Sequence, residues 1–129
     1  DCPPGNEHLE RLALKAADTA LVISDAHPLA LVGASRVLQE LQLNASRNRP
    51  GATRWAIIES KIDNRRSMDR SFDSDLAEAF PTTQRFVVRQ DTQLSQAAAD
   101  QVPIMNYDPK CRGVQDLIPV ARWGIDGPA

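Results

Sequence analysis

The chain has 129 residues, with 15 Lys and Arg against 17 Asp and Glu and a formal net charge of −2. That length suits one compact domain over residues 1–129 rather than two, and the charge balance excludes a global basic field, so any nucleic-acid contact must come from a local patch. No apolar run reaches the roughly 20 residues of a membrane span and no signal-peptide pattern is visible, so the expected setting is the cytoplasm, without membrane contact.

After a Pro3-Pro4-Gly5 turn, Leu9, Leu12, Ala13, Ala16 and Ala17 recur at helical spacing. Ala20 to Ser24 is a short apolar run without polar alternation, the pattern of a strand buried on both faces of a parallel sheet. A second helix follows Pro28, with Leu31, Ala34, Leu38 and Leu41 on one face. Asn44 to Gly51 is a basic, turn-rich loop, and Trp55 to Ile58 is a second buried strand. Lys61 to Arg70 is polar and charged. Met68, Phe72, Leu76 and Phe80 form a helical stripe that stops before Pro81. Phe86 to Val88 is a third strand. Asp91 or Thr92 can cap a helix running through Ala99. Pro103 to Met105 reads as a short extended piece, and a last helix starts near Gly113, with Pro119 expected to kink or end it. Strands separated by helices predict an α/β fold: a three-layer parallel sheet with helices on both faces.

Cys2 and Cys111 belong to no CxxC pair and read as free thiols. His8 and His27 lack metal-ligand spacing and read as surface or capping residues. Trp55 and Trp123 read as packing residues in a chain only 5% aromatic. The first residue is Asp1 rather than Met, and the expectation from this opening is a fragment or a processed chain. Pattern carries the reading as far as a fold, because function resides in sites.

Two segments are more specific. Asp1-Cys2-Pro3-Pro4 is followed by Ala16-Ala17-Asp18, an apolar strand, and then His27-Pro28-Leu29-Ala30-Leu31-Val32-Gly33. Later come Leu94-Ser95-Gln96-Ala97, Val102-Pro103-Ile104, and Tyr107-Asp108-Pro109-Lys110 with Gly113. In order and spacing these resemble the C-terminal half of ParA-like partition ATPases, the deviant Walker-box group of the MinD/ParA superfamily. The resemblance covers essentially the whole chain and implies a partial P-loop NTPase fold. It implies a parent that binds and hydrolyses ATP with Mg²⁺, forms a homodimer, binds DNA non-specifically and answers to a centromere-binding partner protein.

The resemblance also carries site residues. Asp1 matches the Walker B aspartate, a catalytic and Mg²⁺-associated position, since Mg²⁺ takes oxygen ligands. Asp63, Asn64 and Arg65 fall where the family has a D-x-R segment after a strand. With Val88 and Arg89 they are expected to border the nucleotide's base, because ligands of such folds bind beyond the carboxyl ends of the strands. Val88 stands where the family usually has proline. Arg65, Arg66 and Arg70, with Arg47, Arg49 and Arg54 earlier, form the candidate DNA-contacting set. Asp63, Asp69, Asp73 and Asp75 interleave with the first group, so a charge-mixed solvated face is an equal reading.

No G-x-x-x-x-G-K-[ST] loop occurs in these 129 residues. This leaves the chain's own ATPase activity open and keeps a second reading beside the first, a non-catalytic α/β interaction module. A MinD-like membrane-positioning role would call for a basic amphipathic C-terminal helix, and the Gly- and Pro-containing stretch from Arg122 to Ala129 does not fit one.

Overall fold

The first helix starts where Asn6 turns its side-chain oxygen onto the Leu9 N–H at 3.1 Å, satisfying one of the donors that a helix start leaves unpaired. In the computed structural model, which describes residues 1–3 and 5–127, this helix (α1, Glu7–Ala16) leads into β1 (Thr19–Ser24), α2 (Pro28–Ser46), β2 (Arg54–Ile62) and α3 (Ser67–Ala79). Beyond these lie β3 (Gln84–Arg89), α4 (Thr92–Ala99), the single turn α5 (Ile104–Tyr107) and α6 (Arg112–Asp126). The expected turn at Pro3-Pro4-Gly5 contains Pro4, which lies outside the described residues, as do Pro128 and Ala129.

The three strands form one parallel sheet in the order β1-β2-β3. Consecutive parallel strands need a crossover, and α2 and α3 supply the two crossovers. One face of the sheet carries Ala20, Val22 and Ile57 against Leu38 and Leu41 of α2 and Phe72 and Leu76 of α3. On the other face, Ile58 and Val88 pack with Val120, Leu117 and Phe86 under α6. The sheet is therefore flanked by helices on both faces, as expected.

Three local expectations need correction. The run Ala20–Ser24 is not buried on both faces: Leu21 and Ile23 are 46% and 67% exposed while Ala20, Val22 and Ser24 are buried. The reason is coverage, since α6 packs on β3 and its cluster reaches Ile58 of β2 without including any residue of β1. Only Pro103 of the segment Pro103–Met105 is extended. Its carbonyl accepts the N–H groups of Asn106 and Tyr107, which winds the next residues into α5. Of the two outcomes expected of Pro119, a kink or an end, the end is overturned, since the last helix runs on to Asp126. Pro119 and Gln115, whose carbonyl the proline leaves unpaired, are both exposed, so water can satisfy that group.

An irregularity at the end of β2 sets the direction in which the chain leaves the strand. Glu59 pairs with Val87 and Ile62 with Arg89, so three steps along β2 oppose two along β3. This one-residue bulge, with Lys61 at φ 57°, returns Ile62 to the face of Ile57 and delivers the next residues to the rim of the sheet.

Candidate functional site

The carboxyl ends of β2 and β3 open onto a cavity of about 430 Å³. Asp63, Asn64 and Arg65 line it from the loop after β2; Arg89, Gln90 and Asp91 line it from the end of β3, and Arg112 closes it from α6. Four residues assigned here from sequence, Asp63, Asn64, Arg65 and Arg89, thus converge on one space from two loops. Val88 does not join them. Its side chain is buried with Ile58 and Val120 in the core beneath the cavity, because alternate residues of a strand point to opposite sides.

Each wall is fixed by local hydrogen bonds. Asp63 Oδ1 accepts from both the backbone N–H and the Nε–H of Arg65 at 3.0 Å, and Oδ2 accepts from Arg65 Nη2 at 2.9 Å. These contacts hold the Asp63 carboxyl down to about 2. The backbone N–H of Asp63 is itself held by Asp69 of α3 at 2.8 Å. On the opposite wall Arg89 donates to Asp116 three times, from its backbone N–H at 2.9 Å and from Nε and Nη2 at 2.8 Å. Burial by itself raises the Asp116 carboxyl, but the three donors of Arg89 outweigh it and keep the group below its ordinary range.

Asp91 joins two helices. One carboxylate oxygen caps α4 by accepting from Gln93 N at 3.0 Å, and the other accepts from Gly113 N at 2.8 Å in α6. The Gly113 and Gln93 amides hold the Asp91 carboxyl low. A Cβ at Gly113 would lie 2.5 Å from Cδ1 of Leu94, so a larger residue there must displace that side chain. The sequence motifs containing Leu94 and Gly113 are thus one physical junction between α4 and α6. Arg112 donates to the Gln90 carbonyl at 3.0 Å, closing the cavity floor. Sequence reasoning missed Arg112 and Asp116 as site residues. The strand read at Phe86–Val88 gave a signal for the β3 wall, but α6 is brought to it only by tertiary packing.

The cavity pairs its own charges: Arg65 with Asp63, Arg89 with Asp116. Such a space suits a planar, uncharged group that takes directional hydrogen bonds. It is a poor cradle for a polyphosphate, which calls for unpaired cations or a run of free N–H groups.

No family model matches the chain. It is similar to a chromosome partitioning protein. ParA of Caulobacter vibrioides (strain NA1000 / CB15N) is 25% identical to it over 123 residues, 95% of this chain and 46% of that protein. An uncharacterized protein of Pseudomonas putida (strain KT2440) is 26% identical over 122 residues, 94% of this chain and 46% of that relative. The chain therefore spans somewhat less than half the length of these relatives.

The other sequence-assigned residues lie apart from the cavity or only partly at it. Asp1 is exposed and is not among the residues lining this cavity, and among the described residues no group of three His, Cys, Asp or Glu is placed to hold a metal. Arg66 and Arg70 are exposed on the loop and first turn beside Arg65. Arg70 Nη1 donates to the Asn64 carbonyl at 3.0 Å, which orders the loop. Arg54 belongs to no basic surface, being partly buried against Trp123. His27 caps α2, its Nδ1 accepting from Leu29 N at 3.1 Å. Among the described residues no helix is long and apolar enough to cross a membrane.

Proposed function

We propose that this chain is a segment of a ParA-like partition protein and carries the base-binding end of its nucleotide site. The observation behind this reading is the convergence of Asp63, Asn64, Arg65 and Arg89 on one cavity at the carboxyl ends of adjacent parallel strands, where ligands of α/β sheets bind. The similarity to the Caulobacter ParA supports the same assignment.

The site's donor set fits a purine base and ribose, and the cavity volume accommodates them. It does not fit the triphosphate, for which these residues offer no unpaired cation beyond Arg112. ATP with Mg²⁺ therefore belongs to the parent protein, in which Asp1 is proposed to stand near the metal and the attacking water as a Walker B carboxylate. No hydrolytic step can be written from the residues present here. In the same reading the parent is a cytoplasmic homodimer that binds DNA non-specifically and answers to a centromere-binding partner. The DNA contact falls to Arg66 and Arg70, with Arg65 contributing less because Asp63 already neutralises it.

Amide NMR titration of this chain with adenosine, ADP and ATP tests the proposal. The expected result is millimolar binding of similar strength for all three ligands. Perturbed amides should cluster at Asp63–Arg65, Arg89–Thr92 and Arg112, and Arg89→Ala should weaken them. No perturbation by adenosine at saturating concentration would overturn the reading and leave the non-catalytic interaction module in its place.

A further inference from the structure

Arg89 lines the cavity at the end of β3, and Asp116 stands behind it on α6, outside the lining. The bond from the Arg89 backbone N–H to Asp116 Oδ2 already ties α6 to the end of β3. The two side-chain bonds, from Nε to Oδ2 and from Nη2 to Oδ1 at 2.8 Å, add something else. A bidentate pair of this kind fixes the plane of a guanidinium as well as its place. It occupies the Nε–Nη2 edge and turns Nη1 away from Asp116. Nη1 finds no acceptor among the described residues, and it is not buried. Its two N–H groups therefore remain as donors of fixed direction.

The same pair sets the charge of the cavity. Three arginines line it, Arg65, Arg89 and Arg112. Three carboxylates answer them. Asp63 pairs with Arg65 at 2.9 Å and Asp116 with Arg89 at 2.8 Å. The third is Asp91, held low by the Gly113 and Gln93 amides and more weakly by Arg112. Arg65 and Arg112 are exposed, so water already screens them, whereas Arg89 is half-buried. Charge on Arg89 thus weighs most on anything that enters, because screening is weakest there. Asp116 is the group that cancels it.

We propose that Asp116 is the positioning and specificity-determining residue of this cavity. By orienting Arg89 it aims Nη1 at an acceptor atom of an uncharged ring, and by neutralising Arg89 it makes the cavity refuse a polyphosphate. The first half rests on the base-binding reading; the exclusion of anions stands apart from it.

Adenosine and tripolyphosphate are titrated separately into the whole chain and followed by NMR at the amides of Arg89, Asp91 and Arg112. In the unaltered chain adenosine is expected to shift these amides and tripolyphosphate to leave them in place. Asp116→Asn keeps the shape of the side chain and removes its charge. It is expected to bind adenosine about tenfold more weakly, and to take up tripolyphosphate at these amides at least about tenfold more tightly than the unaltered chain. A carboxylate that served only to hold α6 would give no gain of anion binding when removed. Asp116→Glu, which keeps the charge and displaces it, serves where the Asn variant does not fold. It is expected to refuse tripolyphosphate as before and to weaken adenosine. Tripolyphosphate binding at these amides in the unaltered chain or in the Glu variant overturns the proposal. So does a folded Asp116→Asn variant that shows no gain of tripolyphosphate or binds adenosine as before. Failure of adenosine to bind the unaltered chain removes the base-binding reading and the ring half of the proposal with it. The tripolyphosphate comparison then decides the charge half alone, a gain in Asp116→Asn supporting it and no gain overturning it.

Discussion

Glu59 occupies the middle of the central strand at 1% exposure, and its Oε2 has no hydrogen-bond partner. Burial pushes its carboxyl up to about 8, and the neighbouring Asp73 carboxylate, itself paired with Arg85 Nε at 3.0 Å, pushes the same way. Asp73 is held low, first by the proton Glu59 offers it and then by Arg85. The folded protein therefore keeps a proton on Glu59 that the unfolded chain gives up near its ordinary value of 4.5. Between that value and about 8 the folded state binds more protons, so stability falls as pH rises, with a slope approaching about 1.4 kcal/mol per pH unit. Below the window the contribution is complete; above it, it is gone. Denaturant melts across this range should show the decline. Glu59→Gln, which keeps a neutral hydrogen-bonding side chain, should flatten it and be the more stable form at pH 8. A Glu59→Gln variant with the same pH slope as the parent chain would refute the assignment.

At the scale of elements, the junction of α4 and α6 is where chain pattern and three-dimensional packing meet. Asp91 caps one helix and binds the first turn of the other, and Gly113 admits the Leu94 side chain. Gly113→Ala is expected to destabilise the chain by about 1–3 kcal/mol, the usual range for overpacking, and to weaken adenosine binding as Arg112 shifts. A thermal melt and the NMR titration read both effects, and an unchanged melt would show that Leu94 moves aside without cost. This junction also shows what the sequence made legible. Short apolar runs located all three strands and helical spacing located the first three helices, because burial imposes both patterns directly. Asp63, Arg65 and Arg89 could be read as one site because the family resemblance put both segments at the carboxyl ends of strands, where ligands of such sheets bind. Asp116 and Arg112 could not, since nothing local says that α6 lies against β3. The bulge at Lys61 was equally hidden. It arises from a mismatch in pairing between two strands, and neither strand displays it alone.

For the whole molecule the uneven covering of the sheet matters most. The apolar run Ala20–Ser24 reads as a strand buried on both faces, yet α6 leaves Leu21 and Ile23 open to solvent. Among the described residues no strand pairs with the outer edge of β1. Thr19 to Ser24 contains no charged residue, so the edge lacks the usual protection against pairing with another chain. An open edge and an apolar face on one strand act together, since a strand added at the edge also shelters Leu21 and Ile23. The isolated chain is accordingly expected to self-associate as its concentration rises, detectable as growing mass in light scattering. Ile23→Lys places a charge on that face at a position 67% exposed, so it should cost little stability while shifting the population toward monomer. Persistent monomer in the parent chain, or association undiminished in the Ile23→Lys variant at equal melting temperature, would show that the bare side of β1 does not drive assembly.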